Sequence, residues 1–282
     1  MTRLLTVLAI GALIGCGGDK DGDDSGSGSG TATGGTATGG GTATGGTATG
    51  GGTGTVGDLT WNMNGNAVNL IDGGATTAAT GLCAILADPS PVVAGADLEV
   101  LATAVVEDGG AFAFADVVTT STIGLMVVIQ DCAAEGTVAP TATGVPYEDY
   151  STLDDGGTLS GMVAFSLDST VGVPTFAGGL AAAGYAGDDI VTAGTLVSFV
   201  FDSAGTPIDG ATIVGPPDST PYYSTGVGFD GTATVAAAGA QVIIPGGPIF
   251  AYEVFADGYT FEPTLTGSLP GYIVLGRFTA VE

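Results

Sequence analysis

The chain has 282 residues, 52 of them Gly and 13 Pro, and sets 29 Asp+Glu against three Lys+Arg, for a formal charge of −26 with a mean hydropathy of +0.48. Gly and Pro at this level interrupt helices and favour turns, which argues against a mainly helical protein. The sequence contains no His, which removes the usual general base and zinc ligand and with them any Ser/His/Asp or Cys/His site; three scattered cations, Arg3, Lys20 and Arg277, are too few for a nucleic-acid partner.

After Arg3, an apolar run from Leu4 to Ile14 is broken only by Thr6 and Gly11. It falls short of the ~20 residues of a membrane span and has the size of a signal-peptide core. The run closes on Leu13-Ile14-Gly15-Cys16, which resembles the lipobox of bacterial lipoproteins; the alternative is an ordinary secretory peptide with an incidental Cys. The resemblance implies cleavage before Cys16, acylation of its thiol, and a membrane partner reached through the lipid. Gly17, where an Asp would favour retention in the inner membrane, points to the outer membrane.

Residues 17–57 are low in complexity: alternating acids and Gly, then Ser/Gly, then TATGG units starting at Thr31, Thr36, Thr42 and Thr47. Such a segment has nothing to bury, so it is expected to be a disordered tether with a span on the order of 30 Å. Asp19, Asp21 and Asp23 share the opening spacing of a calcium loop, but the Gly and Glu that complete one are absent.

From Asp58 onward, short apolar runs rich in Val, Ile, Thr and aromatics are bounded by Gly, Pro, Asp and Ser, which is the strand signature. Strands are expected at 81–87, 98–107, 111–114, 123–130, 159–167, 196–201, 211–214, 232–236, 241–244, 249–256 and 272–278, with a short helix or turn within 176–187. The expected fold is all-β: a first antiparallel sandwich unit at 58–135, a connector at 136–190 and a second unit at 191–282. With Cys16 lipidated, Cys83 and Cys132 remain. Export permits their oxidation to a disulfide, the alternative being two buried thiols.

Phe201-Asp202-Ser203-Ala204-Gly205-Thr206-Pro207-Ile208-Asp209-Gly210-Ala211 and, later, Tyr252 to Tyr259 with its Ala-Asp-Gly-Tyr ending resemble the carboxypeptidase regulatory-like domains. This implies a seven-stranded, transthyretin-like sandwich without catalytic residues over 191–282. The family's middle turn is only echoed by Ser224 to Phe229. The first unit shows fainter traces of the same plan, at Gly81 to Asp88 and Gly110 to Phe114.

Three acidic pairs, Glu148-Asp149, Asp154-Asp155 and Asp188-Asp189, are the only material for carboxylate catalysis or a calcium site. Neighbours on a strand face opposite ways and the pairs sit in turn-like sequence, so solvated turn acids are expected and no catalytic residue, metal site or cofactor is assigned. Trp61, near Asn62, Asn64, Asn66 and Asn69, and Tyr222-Tyr223 are candidate contacts for a glycan or protein partner. The sequence thus points to an exported, lipid-anchored envelope protein presenting non-catalytic sandwich modules for structural or adhesive interaction. A calcium-dependent or carbohydrate-binding module is the alternative, and an acid-dyad glycoside hydrolase stands behind both.

Overall fold

The computed structural model describes residues 59–71, 81–133, 136–230 and 232–281. Cys16, the lipobox, the tether and Asp19, Asp21 and Asp23 lie outside the described residues. In chain order the first strands are β1 (Leu59–Asn69), β2 (Leu82–Asp88), β3 (Glu99–Val105), β4 (Ala111–Thr119) and β5 (Leu125–Asp131). Next come β6 (Val138–Ala139), β7 (Thr141–Val145), β8 (Thr158–Asp168) and β9 (Thr195–Phe201). The last are β10 (Thr212–Val214), β11 (Tyr222–Ser224), β12 (Phe229–Asp230), β13 (Gln241–Pro245), β14 (Phe250–Phe255), β15 (Thr264–Thr266) and β16 (Ile273–Thr279). Helices α1 (Ser90–Val93), α2 (Tyr147–Ser151) and α3 (Gly172–Ala182) are short.

The all-β sandwich expectation holds, with most strand pairs antiparallel and three parallel. Strand order in the largest sheet is β12-β11-β13-β9-β16-β7-β5-β2-β3, and within it β16 pairs in parallel with both β7 and β9. A second sheet, β4-β1-β8-β6, also contains a parallel pair, β1 with β8. The third is β10-β14-β15. The expected boundaries near 135 and 190 are not breaks in the sheet, because β7, from the expected connector, lies inside it between β16 and β5. Two sandwich halves are present, and they share this sheet.

Side-chain parity shows how they share it, since alternate residues of a strand face opposite ways and register partners face the same way. Leu275, Thr143 and Val127 lie in register across β16, β7 and β5, as do Val274, Ala142 and Val128 one residue earlier or later. The first row faces the cores built by Trp61, Phe112, Phe114 and Ala164 and by Phe165, Leu167, Phe176 and Leu180. The second row faces the core of Ile213, Tyr252 and Val254 contributed by β10 and β14. One face is therefore covered by the four-stranded sheet and α3, while the other is covered by the three-stranded sheet over the β9, β13 and β16 portion. Buried on both faces, β9 reads TLVSFVF with every residue inside, the near-continuous apolar pattern of a central strand.

Two bulges let β1 keep its apolar residues inward against both neighbours. Trp61 pairs with Val117 but Met63 with Phe114, so β4 carries an extra residue there, and Asp116 adopts φ 51°. On the other side Met63 pairs with Leu159 but Gly65 with Met162, and Gly161 takes φ 78°. At Gly65 itself a Cβ would stand 2.3 Å from the Met162 carbonyl oxygen, so only Gly permits this approach. Solvent-side Asn residues hold each bulge: the Asp116 N–H donates to Asn62 Oδ1 (3.2 Å) and the Gly161 N–H to Asn64 Oδ1 (3.3 Å).

Two local expectations shift. The helix starts earlier than 176, at Gly172, because Asp168 Oδ1 accepts the N–H groups of Thr170 and Val171 (2.7 Å each) and ends β8 just before it, while Phe176 and Leu180 bury one face. The Thr170 hydroxyl and the Val171 N–H hold the Asp168 carboxyl below its usual range. Residues 232–236 do not form the expected strand. Thr234 instead docks back on the chain, its Oγ1 accepting from the Ala211 N–H and donating to the Ile208 carbonyl (both 2.8 Å).

Candidate functional site

Trp61 and Tyr223 do not present binding surfaces. Trp61 is 0% exposed and lies in the core, stacked on Tyr150 with centroids 5.3 Å apart and planes within 5°. Asn62 and Asn69 beside it are occupied by the fold: Asn62 Nδ2 also donates to the Gly156 carbonyl (3.2 Å), and Asn69 Oδ1 accepts the Ile71 N–H (2.8 Å). Tyr223 is buried, and its hydroxyl oxygen accepts the Ile213 N–H (2.8 Å), tying β11 to β10 across the sandwich. Tyr222 alone of the three is half-exposed, edge-on to Tyr185 at 6.0 Å. The structure does not bring the three residues into one patch, since Trp61 and Tyr222 pack against different cores.

The acidic pairs serve local turns. Asp189 Oδ1 accepts the N–H groups of Val191 (3.1 Å) and Thr192 (2.9 Å). Asp154 and Asp155 are exposed in the turn before β8, whose Gly157 N–H donates to the Asp154 carbonyl (2.8 Å). Glu148 and Asp149 stand in the first turn of α2. Burial and then the neighbouring Glu148 raise the Asp149 carboxyl, against the lowering pull of Arg277. Among the described residues no three His, Cys, Asp or Glu side chains gather closely enough to hold a metal ion.

Cys83 and Cys132 form a disulfide, with Cα atoms 5.0 Å apart. The chain just beyond it is pinned by Asp131, whose Oδ2 accepts the N–H groups of Thr137 (2.8 Å) and Val138 (3.2 Å) and whose Oδ1 accepts the Thr137 hydroxyl. Arg277 is the one cation of the described residues, and its guanidinium lies 4.8 Å over the Phe201 ring.

The face of β5, β2 and β3 turned away from the four-stranded sheet is lined by mostly buried residues. Cys83, Ile85 and Ala87 share that face with Gln130, Val128 and Met126, their register partners. A cleft of about 460 Å³ lies on it, lined by Ile85, Ala87, Val100, Val128, Leu98 and Tyr272 among others. A second cleft of about 510 Å³ shares Val92, Leu269 and Pro270 with the first and is also mainly apolar. These residues escaped attention in the sequence, because a strand with both faces apolar gives no sign of which face carries a cleft.

No family model and no curated protein matches the chain. Among solved structures it is similar to the TIE protein of Bacillus anthracis at 10% identity and a TM-score of 0.20, over 79% of this chain and 34% of that one. The chain thus spans about a third of that protein's length. It is also similar to the shaft pilin SpaA of Lactobacillus rhamnosus GG (8% identity, TM-score 0.21, 79% and 97% of the two chains). A streptococcal ancillary pilin gives 8% identity and a TM-score of 0.21 over 78% and 68%.

The buried tyrosines make stability sensitive to alkali. Burial pushes the phenols of Tyr150 and Tyr252 up from 10.0 to about 12. Above the unfolded value the unfolded chain loses these protons first, so stability is full below it and declines as pH rises through the folded value. Denaturant midpoints measured across that interval are expected to fall, and to fall less in Tyr150→Phe.

Proposed function

We propose that the chain is an exported, lipid-anchored protein of the cell envelope whose β-sandwich acts as a non-catalytic interaction module. The observation that carries the reading is Leu13-Ile14-Gly15-Cys16 at the end of a short apolar leader, followed by a Gly/Thr tract that can hold a folded part clear of a membrane. The Cys83–Cys132 disulfide supports it, since such bonds persist in oxidising compartments outside the cytoplasm. No helix among the described residues is long and apolar enough to cross a membrane; two or three acyl chains on Cys16 anchor stably where one does not. Gly17 after the Cys favours the outer membrane.

The C-terminal third is read as a carboxypeptidase regulatory-like sandwich, a non-catalytic scaffold, on its sequence motifs. Its two motif segments meet: β10, after the Gly205 turn, pairs with β14 through Thr212–Phe255, Ile213–Val254 and Val214–Glu253. The turn is closed by the Gly205 N–H to the Asp202 carbonyl (3.0 Å), with Gly205 at φ 83°. Fractionation of cells tests the proposal: the native chain is expected with the membranes, and Cys16→Ser in the soluble fraction. A Cys16→Ser protein that stays with the membranes would refute the anchor.

A further inference from the structure

We draw no further inference here: the strongest candidate, the two adjoining apolar clefts between α1 and the β15–β16 connection, which share Val92, Leu269 and Pro270, carries none, because nothing in the structure shows what covers them.

Discussion

Replacing Cys83 and Cys132 together by Ala is expected to lower the unfolding free energy by about 4 kcal/mol, the chain-entropy value for the loop they close, whose sequence separation is 49. The native contacts around the bond do not depend on it. Leu82 to Ala87 of β2 remain in register with β5, and the Cys132 N–H still donates to the Gly81 carbonyl (2.7 Å). The loss therefore acts through the unfolded chain, which gains the freedom the bond had removed. That origin has its own signature: the denaturant slope should rise, because the released chain exposes more surface when unfolded. The melting temperature should fall on the order of 10 °C for a domain of this size. An unchanged midpoint in the double-Ala protein would contradict the pairing.

Trp61→Ala is expected to cost about 3–5 kcal/mol, the range for truncating a buried aromatic. Two terms add here. The cavity opens in the core that the ring shares with Met63, Phe114 and Val117 of its own sheet and Leu86, Val127 and Ile129 of the nine-stranded one. The face-to-face partner Tyr150 is also left without its stack, worth about 0.5–1.5 kcal/mol beyond area, although its hydroxyl still donates to the Ser121 carbonyl (3.0 Å). Trp61→Phe is the informative control. Trp61 Nε1 has no hydrogen-bond partner, so that change abandons no polar contact and should cost far less than Ala. As the single Trp, Trp61 also reports directly: its emission should be blue-shifted in the native protein and move to the red on unfolding. A Trp61→Ala protein of native stability would mean that the ring is a surface contact after all.

The strands with apolar runs, such as β2, β5 and β9, were legible because burial on both faces leaves few polar interruptions. β1 was not, although its period was visible in retrospect. Trp61, Met63 and Ala67 alternate with Asn62, Asn64 and Asn66, and Asn at that density reads as loop or ligand surface. Its role in holding bulges on two neighbouring strands appears only once those neighbours are in place. The same holds for β7, whose Thr141 and Gly144 carry little strand signal yet lie at the middle of the sheet. Parallel pairing of β16 with β7 joins residues more than a hundred positions apart, and no local pattern encodes it.

The disulfide was legible for a different reason: with Cys16 assigned to the lipid, only two thiols remained and export permitted their union.

The central claim, an exported protein anchored through Cys16, is tested most directly by the intact mass of the protein recovered from the membrane fraction of its host. The account predicts a chain beginning at Cys16 and heavier than its sequence by the mass of a diacylglyceryl group, with or without a further acyl chain. A chain that retains Met1 to Gly15, or one that begins elsewhere with Cys16 unmodified or absent, would contradict it.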